Sequence, residues 1–255
     1  MVIIDFHVHL GRTIKGWIKP LEVYGIKDES MIERNEDELI KVMNENGINK
    51  AVIFPNPQLP TEYPKANDEI SAAVKKYPER LIGFCRVDPR TGKMALKEIE
   101  RSVSTLGLRG LKLHPIMEVF TVDHDAILKV IQHAANLNIP ILIHSGSSSY
   151  DSAVRFSKLA EKVRNTTIII GHFSSYPENV KVAKKHENLY LETSGAVCPS
   201  QIENAVETIG AERILFGSDW PYLNIKFEMV KIEMANISKR DKELIFGRNA
   251  EKILH

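Results

Sequence analysis

The sequence predicts an α/β fold, a closed (β/α)8 or TIM barrel, on three observations. Short apolar or β-branched runs alternate with amphipathic stretches eight times along the chain. The length of 255 residues is that of one barrel domain, so residues 1–255 are read as a single unit. Five of the runs end in a residue type that ligates metals: IIDFHVH at 3–9, GLKLH at 110–114, ILIH at 141–144, IIIGH at 168–172 and ILFGSD at 214–219. A closed parallel barrel explains all five together, because every strand aims its C-terminal end at the rim where such barrels hold their active sites.

The predicted strands are 2–8, 50–55, 81–87, 109–114, 140–144, 167–171, 188–193 and 213–218. The helices between and after them are 36–46, 66–77, 93–105, 124–137, 152–164, 177–186, 200–209 and 225–236. Asn46-Gly47 suits a left-handed end to the first helix. Asp123 precedes a stretch with Ile127, Val130, Ile131 and Ala134 at helical spacing, and Pro140 opens the fifth strand. Ser238 is placed to cap a terminal helix lying on the barrel wall. An open doubly wound sheet fits less well, since such a sheet more often has five or six strands and a glycine-rich first turn, which is missing here. The long irregular stretch from Gly11 to about Asn35, with Trp17, Pro20 and Tyr24, leaves the rim where loops shape substrate sites.

Composition excludes several classes. Hydrophobic residues make up 43% and charged residues 26%, and the net charge is +1. No basic excess points to nucleic acid or an anionic membrane surface. No apolar run approaches a membrane span, and no leader pattern opens the chain, so the expected location is cytoplasmic. Two cysteines rule out a disulfide framework, and Cys85 within LIGFCRV reads as a small buried hydrophobe. Three glutamines beside abundant Lys and Glu hint at a thermophilic source.

In HVH the two histidines share one strand face, with Phe6 and Val8 expected to face the helix shell. Asp5 shares the histidine face one step deeper, where a buried carboxylate is costly unless paired; orienting a ligand histidine is its expected task. In GLKLH, Gly110, Lys112 and His114 face inward, and Gly110 is expected to leave space beneath the lysine. Ser145 to Ser149 lack a nucleophile-elbow pattern, which argues against a serine nucleophile.

These motifs together, DFHVH, GLKLHP, IHSG, GHFS and GSDWPY, resemble the amidohydrolase superfamily along the whole chain. Within it the likeness is to the amidohydrolase-related group that includes aminocarboxymuconate-semialdehyde and γ-resorcylate decarboxylases. The resemblance implies one divalent metal, zinc by preference, held by His7, His9, His144 and Asp219. It makes His172 the acid/base and Asp219 a second proton carrier. Such a site keeps one position for water, whose pKa zinc lowers toward ~7. Lys112, His114 and Arg12 are then candidates to bind a carboxylated substrate. In binuclear relatives the lysine of this strand is carboxylated and bridges two metals; the mononuclear likeness favours an uncarboxylated Lys112, paired with Glu192, Asp5 or an anion.

The implied reactions are hydrolysis of an amide, ester or lactone, taken as the leading label, or decarboxylation with the same ligands. Small-molecule substrates are the expected partners, and the likeness admits a homodimer. Two other readings stand beside it. A TatD-like deoxyribonuclease would carry a glutamate on strand four, where Lys112 and His114 stand. A silent scaffold barrel would have lost a ligand, and none is lost.

Overall fold

In the computed structural model, residues 1–12, 33–146 and 148–254 are described. The expectations placed on Trp17, Pro20, Tyr24 and the tip of the serine-rich turn at Ser147 lie outside them. The strands are β1 (Ile4–Arg12), β2 (Glu33–Arg34), β3 (Lys50–Pro55), β4 (Leu81–Gly83), β5 (Cys85–Arg86), β6 (Leu111–Leu113), β7 (Ile141–His144), β8 (Ile168–Gly171), β9 (Leu189–Glu192) and β10 (Ile214–Leu215). All pair in parallel except β2, a short antiparallel partner to the end of β1.

The ladders run β2-β1-β3-β4 and β10-β9-β8-β7-β6-β5, and backbone hydrogen bonds join them at both seams. At one seam, Phe84 lies between β4 and β5 and its amide donates to Ile53 at 2.9 Å; β4 and β5 are thus one strand. At the other, Phe6 donates to the Phe216 carbonyl at 2.9 Å and His9 to that of Trp220 at 2.8 Å, with Val8 bridged to Trp220. Eight parallel strands therefore close into the expected barrel.

The helices following the strands are α1 (Glu36–Glu45), α2 (Tyr63–Lys76), α3 (Lys93–Ser104), α4 (Asp125–Asn136), α5 (Ala153–Lys162), α6 (Glu178–Lys185), α7 (Pro199–Ile209) and α8 (Ile225–Met234). Gly47 takes a positive φ of 69° just past α1, as its sequence suggests. The α4 cap is His124, whose ring accepts from the Ala126 amide at 3.2 Å, and the preceding Asp123 pairs with Arg155. Ser238 does cap the terminal segment, accepting from Asp241 at 3.1 Å.

Period-two alternation sorts the barrel strands. Leu111, Leu113, Ile141, Ile143, Ile168, Ile170, Leu189 and Leu191 pack in the core against the helices. Phe6, Val52, Phe84, Leu142, Ile169 and Leu215 fill the barrel interior. Ala250 and Leu254 of α9 (Asn249–Leu254) join this second cluster, so the terminal helix plugs the barrel's lower mouth rather than lying on its wall. Two local expectations change. Phe6 faces the interior, 5.6 Å from Phe84 edge to face, because the register with β3 shifts between Asp5 and Val8. The space beside Gly110 is taken by the Phe84 ring, which a Cβ there would meet at 2.3 Å.

Candidate metal centre at the barrel rim

Above the apolar interior layer, the next inward positions are polar and buried: His7, Lys112 and Glu192 are 0% exposed. Lys112 lies between the helix-facing Leu111 and Leu113, and Glu192 stands two residues beyond the inward Tyr190, so the alternation that builds the core also delivers the site. His172 follows directly on β8 and Asp219 lies four positions past the end of β10, with φ of 72° and 56°. Non-glycine residues rarely hold that left-handed conformation, and where they do it is often at functional sites.

Asp219 Oδ1 lies 3.3 Å from His7 Nε2 and 3.2 Å from His9 Nε2. Ligand atoms arranged tetrahedrally around an ion at roughly 2.0–2.2 Å stand about 3.3–3.6 Å apart, so these three fit a divalent metal. Among the described residues, two groups bring potential ligand atoms within 4.8 Å of one another: His7–His9–Asp219 and His7–His172–Glu192. His144 belongs to neither.

The five imidazoles form a continuous row. His114 stacks on His144 at 3.7 Å, His144 meets His172 at 4.7 Å, His172 meets His7 at 4.7 Å, and His7 meets His9 at 5.4 Å. Phe54 and Tyr222 flank His9 at 4.8 and 5.1 Å. Burial lowers the pKa of every ring in the row, that of His172 to about 4, so all are neutral at pH 7 and have lone pairs for a metal or a proton. Burial pushes the Asp219 carboxyl the other way, upward.

Lys112 points inward as expected, with Nζ 3.1 Å from His7 Nε2 and 4.9 Å from the centre of the Phe54 ring. Burial drives its pKa down. Neither Glu192 nor Asp5 pairs with it. Asp5 Oδ1 instead accepts from the amides of His7 at 3.1 Å and Ser218 at 2.9 Å, tying the first strand to the last. The carboxylate that holds the His7 ring is Glu192, whose Oε2 is 2.7 Å from His7 Nδ1. Arg12 is exposed at the end of β1, on the margin of a cleft it lines with Arg34, Glu36, Gln58 and Glu69.

Beside the row lies a buried pair that sequence patterns did not single out. Arg86 donates through Nε and Nη2 to Glu118 Oε1 at 2.9 and 2.7 Å, and Tyr63 donates to the same oxygen at 2.6 Å. Glu118 Oε2 accepts from the His114 amide at 2.7 Å, so this pair anchors the loop that carries His114. Burial pushes the Cys85 thiol up to about 12, in keeping with an unreactive core residue.

The amidohydrolase family model matches residues 4–255. A γ-resorcylate decarboxylase of Polaromonas sp. (strain JS666 / ATCC BAA-500) is 25% identical over 286 residues, covering 86% of this chain and 86% of the relative. The crystal structure of dihydroxybenzoic acid decarboxylase from Polaromonas sp. JS666, with bound manganese and the inhibitor 2-nitroresorcinol, aligns with TM-score 0.79 at 22% identity. It covers 99% of this chain and 96% of that chain. The structure of 5-carboxyvanillate decarboxylase from Novosphingobium aromaticivorans DSM 12444, with manganese and 4-hydroxy-3-methoxy-5-nitrobenzoic acid, aligns with TM-score 0.81 at 18% identity. It covers 99% of this chain and 96% of that chain. These likenesses agree with the closed barrel. No helix among the described residues is long and apolar enough to cross a membrane.

Proposed function

Because the chain belongs to the amidohydrolase family, we propose that it is a metal-dependent decarboxylase of a small carboxylated aromatic acid. The observation that carries this reading is Asp219 Oδ1 at 3.2–3.3 Å from the Nε2 atoms of both His7 and His9, beside the buried Lys112. The decarboxylase names of the relatives favour carbon–carbon cleavage over the hydrolysis that the motifs alone placed first.

His7, His9 and Asp219 would hold one divalent ion, with His144 as the proposed fourth ligand. Manganese in the two decarboxylase structures makes it as strong a candidate as zinc. When bound, the ion supplies positive charge that binds substrate oxygens and stabilises negative charge developing on them. Lys112, deep in the pocket, meets the substrate's anionic group, and Phe54 and Tyr222 offer aromatic walls beside His9.

The reaction then needs one proton. His172 or Asp219 delivers it to the ring carbon bearing the carboxylate. The bond to the carboxylate breaks, its electron pair returns to the ring, and carbon dioxide departs. The donor regains its proton from solvent, so the net change consumes one proton per carboxylate lost. A carboxylate beside His172 raises its proton affinity above the resting value, which suits this task.

The test is metal analysis of the purified protein, followed by carbon dioxide release from hydroxybenzoates, with lactones and amides assayed in parallel. Chelator should abolish carbon dioxide release, and manganese or zinc should restore it. Metal-dependent turnover of a lactone or amide with no action on any carboxylated aromatic would replace this reading with hydrolysis.

A further inference from the structure

The inward face of β9 carries Tyr190 and then Glu192, and Ser194 follows two residues on. Glu192 and Ser194 are both 0% exposed. Glu192 Oε1 accepts from the Ser194 amide at 2.5 Å, and Oε2 accepts from the His172 amide at 3.3 Å. The same Oε2 lies 2.7 Å from His7 Nδ1 and 2.8 Å from Ser194 Oγ. Ser194 Oγ is in turn 2.7 Å from His172 Nδ1. An unbroken buried chain thus runs from His172 through Ser194 and Glu192 to His7.

The directions of these hydrogen bonds follow from proton counting. Both backbone amides can only donate, so the carboxylate is accepting at each oxygen. Ser194 has one hydroxyl proton. Given to Glu192 Oε2, it leaves the serine lone pairs facing His172 Nδ1, which must then carry a hydrogen. With Glu192 ionised, the reverse order would set two lone-pair-bearing oxygens in contact at 2.8 Å. The same carboxylate accepts from His7 Nδ1–H.

We propose that Glu192 and Ser194 are positioning residues that set two imidazole tautomers at once. Glu192 keeps the His7 proton on Nδ1, so Nε2 offers its lone pair to the ion. Ser194 keeps the His172 proton on Nδ1, so Nε2 is the atom that exchanges a proton in the pocket. The packing is built for this carboxylate: a Cβ on Gly217 would come within 2.1 Å of Glu192 Oε1. The proposal rests on the metal-site reading above and specifies how two of its histidines are held.

Nitrogen-15 NMR of zinc-loaded protein with labelled histidines reads each ring's tautomer without needing a substrate. Wild type should show Nδ1–H at both His7 and His172. Ser194→Ala should move the His172 ring shifts and leave zinc affinity unchanged, and Ser194→Thr should restore them. Glu192→Gln should weaken zinc binding by about 10- to 100-fold, the range for losing a partner that orients a ligand histidine. A wild-type His172 protonated on Nε2, or His172 shifts unmoved in Ser194→Ala, would overturn the proposal. If Glu192→Gln fails to fold, the two Ser194 variants decide it. Failure of zinc to bind wild type would instead defeat the metal reading, while the His172 tautomer in metal-free protein still tests the role of Ser194.

Discussion

Lys112 Nζ lies 3.1 Å from Nε2 of His7, the nitrogen that also faces Asp219 Oδ1 at 3.3 Å. A buried cation thus sits against the lone pair assigned to a metal ion. An ammonium and a divalent ion repel strongly at that range in a medium of low dielectric. Burial already weakens the lysine's hold on its proton. The arrangement suits a lysine that turns toward an incoming anion when the ion is in place.

Lys112→Met should therefore leave metal binding intact or tighten it. The apparent KM for a carboxylated substrate should rise roughly 10- to 100-fold, the value of a hydrogen bond to a charged group. Metal analysis and steady-state kinetics on the same preparation separate the two effects. A carbamate on Lys112 bridging two ions, seen in a crystal of the loaded protein, would show that the lysine is itself a ligand.

His172→Asn should preserve metal content while turnover falls by roughly 10²-fold or more, the loss typical of a removed acid/base group. His172 stands one ring away from His7 at 4.7 Å, outside the His7–His9–Asp219 group. Loss of the ion in this variant would make His172 a ligand rather than a proton carrier.

Much of this site was legible because its residues end strands. His9, His114, His144, His172 and Asp219 each close an apolar run, and alternation places His7 and Lys112, two residues before such ends, on the same faces as His9 and His114. The register shift between Asp5 and Val8 was not legible, since nothing in DFHVH marks an extra residue; hence the misplaced Phe6. Glu192 left a fainter signal. In LYLE it shares a face with Tyr190 in a buried strand, and a carboxylate so placed requires donors. Its donors are mostly backbone amides and a serine on the same loop, which no ligand motif announces. The Arg86–Glu118 pair was hidden for another reason, because its members come from segments 32 positions apart.

Gly217→Ala should destabilise the protein by about 1–3 kcal/mol, the usual cost of overpacking, and weaken metal binding as well. The added methyl would meet Glu192 Oε1, Cδ and Cγ at 2.1, 2.4 and 2.7 Å, and that side chain is held at both oxygens. Thermal denaturation and metal titration check both effects. An unchanged Tm with wild-type metal affinity would mean that Glu192 can shift freely, contrary to its hydrogen-bond geometry.

Removing the ion should destabilise the fold by more than loss of a surface contact could explain. Asp219 is a carboxylate whose burial disfavours its charge, and an ion bound there would compensate that charge in the folded state alone. With free metal at ~100 times its Kd, linkage contributes about 2.7 kcal/mol, or roughly 5–10 °C in Tm for a chain of this size. Chelation should lower Tm by that amount, and manganese or zinc should restore it in a concentration-dependent way. The same experiment on Asp219→Asn should show a much smaller shift, because the variant keeps the shape and loses the charge. Equal shifts in the two proteins would place the stabilising ion away from Asp219.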